Sequence, residues 1–206
     1  MRARSTPRWG ALGFTLVELL ITLTIFGLVL AAVGRLLVSA QRAYVTQREA
    51  SAVLGPLRQA EATLSRLLRA AGANPNSVTS VASGRLLPGI YTLTSPAGGF
   101  RIVSDFNPAN GSFDDEFEDV RTWVANDTLW VSWRNQGGTA AAAQPVAAPV
   151  TSVTYSFVNA ANASVTPTAT TPVAASLVQV TISAPRRVGN ATTTVRRQVW
   201  IALLNR

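Results

Sequence analysis

From Phe14 to Gly34 the chain carries a single charged residue, Glu18, in a run that continues Leu19-Leu20-Ile21-Thr22-Leu23-Thr24-Ile25-Phe26-Gly27-Leu28-Val29-Leu30-Ala31-Ala32-Val33. Roughly 20 apolar residues in a helix cross the hydrocarbon core of a bilayer, and a cationic flank keeps one end on the cytoplasmic side. Arg2, Arg4 and Arg8 supply that flank. The chain is therefore expected to enter a membrane once. A carboxylate near the head of such a run is costly, about 2.5 to 3.5 kcal/mol on insertion scales for Asp at a helix centre, and requires a partner.

A cut between Gly13 and Phe14 creates that partner. The new α-ammonium of Phe14 lies within about one helical turn of Glu18, and in a stack of such helices it reaches the Glu18 of a neighbour. The stretch Gly13-Phe14-Thr15-Leu16-Val17-Glu18-Leu19 resembles the prepilin peptidase site of type IV pilins and type II secretion pseudopilins. The resemblance implies a basic leader, cleavage after Gly13, N-methylation of Phe14, and a Glu18 that sets axial register in a filament. It also implies prepilin peptidase and other pilins or pseudopilins as partners. Two plainer readings compete with it. Val38-Ser39-Ala40 has the small-residue pattern of a signal-peptidase site, which would start a secreted protein at Gln41, and an uncleaved signal anchor is the other. Neither accounts for a Glu at the head of the run beside a Gly-Phe junction.

The chain has neither His nor Cys. The commonest general base, the thiol nucleophile and the usual transition-metal ligands are thus missing together, so catalysis is not expected and no cofactor is required. No disulfide can tie the loops. The formal charge is +8, but three arginines belong to the leader, leaving 15 Arg against 10 acids in the mature chain. That balance permits contact with anionic lipid, polysaccharide or DNA, although no dense basic patch interleaved with aromatics supports nucleic acid in particular.

Beyond the apolar run, Ala50, Val53, Leu57, Ala60, Leu64, Leu67 and Ala71 recur at helical spacing, with Arg48, Arg58, Arg66 and Arg69 off their stripe. This predicts an amphipathic continuation of the same helix, kinked at Gly55-Pro56, capped by Gly72 and ended by Asn74-Pro75. After Gly72 short alternating segments separated by Gly, Pro, Asn and Ser predict antiparallel strands. They are Arg85 to Leu87 or Ile90 to Leu93, Phe100 to Val103, Val120 to Val124, Leu129 to Arg134, Val150 to Val158, Leu177 to Ser183 and Val195 to Leu204. A two-residue turn at Asn126-Asp127 would set Trp123 opposite Trp130. Gly137 to Pro149 and Asn159 to Pro172 read as exposed loops. Trp123, Trp130, Trp133 and Trp200 could bind glycans or a partner subunit if exposed, and core packing in half-buried strands is the favoured reading.

The segment Asp105 to Asp119 holds six of the ten acids. Asp105, Asn107, Asn110, Asp114, Asp115 and Glu116 are candidate oxygen ligands for calcium, with Asp105 and Glu116 at the first and twelfth positions of an EF-hand-like loop and Gly111 one place late. A solvated acidic loop balanced by nearby Arg is the alternative.

Leu67-Leu68-Arg69-Ala70-Ala71-Gly72, Glu118-Asp119-Val120 and the terminal Leu203-Leu204-Asn205-Arg206 are similar to W-type minor pilins and J-type pseudopilins. Many major pilins carry a proline about 22 residues into the mature chain, where this sequence has Arg35. The expectation is an α+β pilin-like fold, a long N-terminal α-helix packed on a C-terminal antiparallel β-sheet. Residues 1–13 are the leader, 14–38 the transmembrane and assembly half of the helix, 39–72 its amphipathic half and 73–206 the sheet domain. The resemblance implies a minor subunit that initiates or caps a type IV pilus. It would be held by a single pass in the bacterial inner membrane, with its domain in the periplasm, before assembly. A type II secretion pseudopilin, a DNA-uptake pilus subunit, a membrane-anchored extracellular binding module, and a hydrolase using Asp114 with Glu118 are the alternatives.

Overall fold

The computed structural model describes residues 14–76, 79–81, 85–96, 98–105, 118–134, 141–188 and 191–203. A single helix, α1, runs Leu16–Ala70, and the strands follow as β1 (Gly89–Thr92), β2 (Phe100–Val103), β3 (Asp119–Ala125), β4 (Thr128–Arg134), β5 (Gln144–Ala147), β6 (Ser152–Val158), β7 (Ser164–Val165), β8 (Leu177–Val188) and β9 (Ala191–Ala202). The chain divides into two compact units, residues 1–47 and 48–206. The arrangement is α+β and pilin-like: one long N-terminal helix and an antiparallel sheet domain that covers its C-terminal half.

In the first unit the described residues are helical from Leu16 on, and their apolar side chains are bare. Leu16, Val17, Leu20, Leu23, Phe26, Leu28 and Leu36 are all more than half exposed. Mean hydropathy over the best 18-residue window reaches 2.5, with none of that window buried. A surface so apolar and so uncovered fits a lipid environment. The hydroxyls inside it are already satisfied: Thr22 Oγ1 donates to the carbonyls of Glu18 (2.7 Å) and Leu19 (2.9 Å), and Thr24 Oγ1 to those of Leu20 (3.1 Å) and Ile21 (2.8 Å). That back-bonding leaves Glu18 as the one charged side chain in the run.

In the second unit the helix buries Val53, Leu57, Ala60, Leu64 and Leu68. The expected stripe holds at Val53, Leu57, Ala60, Leu64 and Ala71, with Leu68 taking the place expected of Leu67. Leu68 is fully buried while Leu67 is only partly so, because steps of four, three, four and four from Val53 keep the seam on one side and Leu67 falls beside it. The helix passes Pro56 without ending. It stops at Ala70, and Gly72 takes φ 77°, a left-handed geometry that glycine adopts without steric cost. Gly72 N–H donates to Val103 O (3.2 Å) and Asp105 N–H to Ala73 O (2.8 Å), so the helix end is stitched to the exit of β2.

The strands form two sheets rather than one. β1-β2-β3-β4-β5 is an antiparallel meander, and β7-β6-β8-β9 is a second antiparallel sheet. The β3–β4 hairpin is as the sequence predicts: Asn126 and Asp127 have φ of 51° and 53°, and Trp123 pairs with Trp130. Positive φ at both central residues matches the twist of the flanking strands. Trp130 Nε1 donates to Ala125 O (3.1 Å).

Other expectations need correction. Gln144–Ala147, placed in a loop by its composition, is strand β5 on the open edge of β4, where Pro145 costs no ladder bond on its outer side. Ser164–Val165, also placed in a loop, pairs with the end of β6. The β8–β9 hairpin extends well past Ser183, with pairing from Leu177↔Ala202 to Val188↔Ala191. Pro185 is tolerated within β8 because the pairing of β6 has ended at Ser183, which leaves that side of the strand free. None of the four tryptophans lies in the buried core, and Trp200 is 53% exposed.

One hydrophobic cluster joins the buried helix residues to Ile90, Phe100, Ile102 and Leu129 of the first sheet and to Phe157, Val178, Val180, Ile182 and Ile201 of the second. Phe100 locks the two sheets together, its ring centroid 4.0 Å from that of Tyr155 and 5.5 Å from that of Phe157. Burial pushes the Tyr155 phenol well above its ordinary pKa. On the inward face of β9 Arg197 interrupts an apolar series, and Glu61 on the helix accepts its Nε–H.

Candidate functional site

The candidate site is the first turn of α1. Thr15 is the residue before the helix, and its side chain caps the turn: Glu18 N–H donates to Thr15 Oγ1 (3.3 Å), while Leu19 N–H donates to Thr15 O (3.2 Å). Glu18 therefore stands three residues after its cap, in the order Thr-x-x-Glu, where a carboxylate faces the partial positive charge of the helix N-terminus. This capping role is a finding of the structure. Its signal, Thr15 three residues before Glu18, is present in the sequence.

Phe14 precedes the cap and is 74% exposed. Gly13, the residue expected on the other side of the cut, lies outside the described residues. With Thr15 as cap, a freed α-amine at Phe14 would sit just beyond the helix, close to its own Glu18 and open to a neighbouring chain. The geometry thus offers one anion at the head of a bare apolar helix and a place for one cation beside it.

Of the candidate calcium ligands, only Asp105 falls within the described residues; Asn107, Asn110, Asp114, Asp115 and Glu116 lie outside them. Asp105 is fully buried, and its Oδ2 accepts from Asn76 Nδ2 at 3.3 Å. At the other end of the acidic segment Glu118 and Asp119 are also fully buried, and Ser104 N–H donates to Glu118 O (3.0 Å). Asp119 accepts from Arg101 Nε and Nη2, both at 2.7 Å. Three of the six acids thus anchor the ends of the segment inside the domain. Among the described residues no group of three or more His, Cys, Asp or Glu could hold a metal ion. Tyr91, buried on the same outer side of the first sheet, donates its hydroxyl to Leu87 O (2.6 Å), and burial pushes its phenol up to about 12 despite the nearby Arg101.

Residues 11–34 match the family described as the prokaryotic N-terminal methylation motif. No curated protein matches the chain. The matched stretch contains Gly13, Phe14 and Glu18 and covers the whole apolar run to Gly34, so it takes in the site built above. A motif of this type points to a structural protein and not to an enzyme, and it implies processing by prepilin peptidase and assembly with other pilins. Together with one bare apolar helix suited to anchoring in the inner membrane, and with the α+β domain that follows, it makes this chain a type IV pilin-like protein.

Proposed function

We propose that the protein is a minor subunit of a type IV pilus, stored in the inner membrane with its sheet domain in the periplasm and drawn into the filament at its initiating end or tip. The observation that carries this reading is the methylation motif on an apolar run, Phe14 to Gly34, whose only charge is Glu18. The minor-subunit assignment rests on the similarity of Leu67 to Gly72, Glu118 to Val120 and Leu203 to Arg206 to W-type minor pilins. The unbroken helix at Arg35 supports it too, since many major pilins carry proline there. The same similarities extend to J-type pseudopilins, which makes a type II secretion pseudopilin the second reading.

Mass spectrometry of the protein recovered from membranes tests the shared part of both readings. The expected N-terminus is an N-methylated Phe14. An N-terminus at Gln41, or an intact Met1, would overturn the assignment.

A hard cation on the acidic segment is a separate proposal, supported by the crowding of six carboxylates between Asp105 and Asp119. Millimolar calcium is expected to raise the melting temperature of the full chain in detergent, because a ligand that binds only the folded state stabilises it by mass action. A melting temperature that does not move, or a rise that survives Asp114→Ala with Glu116→Ala, leaves a solvated acidic loop as the better description.

A further inference from the structure

All ten acidic residues occur at or before Asp127, whereas Arg134, Arg186, Arg187, Arg196, Arg197 and Arg206 follow it. The second sheet is built wholly from that acid-free part of the chain. Its inner face meets the helix through Val178, Val180, Ile182 and Ile201. Its outer face carries the partners of opposite parity: Gln179 beside Trp200, Thr181 beside Gln198, Ser183 beside Arg196 and Arg187 beside Thr192.

That outer face is open along β9. Thr192, Arg196, Gln198 and Trp200 are all exposed, as is Arg187 on β8. Apart from Leu54, Trp200 is the one large apolar side chain exposed among the described residues of the second unit. An isolated bare indole on a flat face, with amides beside it and the Arg196 row roughly 14 Å along β9 at about 3.4 Å per residue, is poor for a dry protein contact, which wants a contiguous apolar patch. It is well suited to a sugar ring. The indole offers an apolar platform, Gln179 and Gln198 each present a donor and an acceptor beside it, and the guanidiniums bind carboxylates in a fork.

The spacing of the charges decides among anionic polymers. Trp200, Arg196 and Thr192 recur every four residues on β9, so the Arg196 and Arg187 rows lie roughly 14 Å apart at about 3.4 Å per residue. Single-stranded nucleic acid needs successive aromatic platforms and a continuous cationic track. One ring and two exposed guanidiniums that far apart supply neither, and suit a polymer that lays one ring on the indole and meets a guanidinium only at intervals along its length. The geometry points to an acidic polysaccharide, a chain of uronic-acid type, docking across the outer face of the second sheet with a sugar ring on Trp200 and its carboxylates on Arg196 and Arg187.

The test uses the full chain in detergent micelles, titrated by calorimetry with polygalacturonate oligomers, neutral galactan and oligo-dT of matched charge. Binding of polygalacturonate is expected to weaken about tenfold or more in Trp200→Ala and in Arg187→Gln with Arg196→Gln, which is about 1.4 kcal/mol or more, and to stay within about threefold of native in Trp200→Phe. Galactan and oligo-dT are expected to bind at least about tenfold more weakly than polygalacturonate. Should Trp200→Ala fail to fold, Gln179→Ala with Gln198→Ala carries the same expectation. No binding of polygalacturonate, a smaller loss in those variants, or oligo-dT bound as tightly would each overturn the proposal, the last of these in favour of a nucleic acid.

Discussion

Arg101→Ala is expected to lower the melting temperature of the protein by roughly 6 to 20 °C. Asp119 is fully buried at the start of β3, with both carboxylate oxygens held by Arg101 at 2.7 Å, and Arg101 itself is only 15% exposed. The two residues are diagonal neighbours on one face of the β2–β3 pair, since Arg101 lies opposite Arg121 and Val103 opposite Asp119. Removing one member of a buried ion pair costs on the order of 3 to 5 kcal/mol, and each kcal/mol moves the midpoint by about 2 to 4 °C in a domain of this size. The double replacement Arg101→Met with Asp119→Leu separates this cause from lost packing. It takes away both charges and is expected to recover most of the stability, because apolar residues of similar volume replace a buried pair at little or no cost. If the double variant melts no higher than Arg101→Ala, stranded charge is not the reason for the loss.

That pair shows where sequence reading reaches its limit. Asp119 is visible in the sequence as one more acid in a crowded segment, and only the β2–β3 register brings it to Arg101. Local features were legible: the Asn126-Asp127 turn, Gly72 at the helix end, the alternation of β2, β3 and β4. Each is written in residues a few positions apart. The split into two sheets was not legible, because β5 and β7 have weak strand character of their own and exist through the open edges of β4 and β6. Arg197 is a similar case. It looks out of place among Val195, Val199 and Ile201 until Glu61 from the helix appears beside it. At the candidate site the processing motif was legible in full, as a contiguous stretch must be. The cap formed by Thr15 is a Thr-x-x-Glu spacing in the same stretch, and it acquires its meaning only from a helix that starts at Leu16.

The place of Glu18 in the first helical turn and its proposed pairing with a neighbouring chain differ in magnitude, and that difference separates them. Within one chain, a carboxylate in the first turn interacts favourably with the helix dipole by about 0.3 to 1 kcal/mol, which is a factor of less than about tenfold in any equilibrium. Between chains, under the proposed pairing, a neighbouring Phe14 ammonium that met no carboxylate would be stranded in low dielectric, at a cost on the order of 3 to 5 kcal/mol. Glu18→Ala is accordingly expected to insert at least as well as the native chain, since the run becomes more apolar, and to keep its sheet domain, whose described core begins at Val53. Its share in sheared filaments relative to the membrane pool, at matched expression, is expected to fall several-hundred-fold. Glu18→Gln is the sharper variant, because it keeps a polar side chain at the third helical position while removing the charge. If pairing with the Phe14 ammonium is what Glu18 supplies, Gln falls nearly as far as Ala. A Gln variant that assembles like the native chain would mean that capping suffices. An Ala variant that also assembles normally would move the whole filament role onto other contacts of the apolar helix.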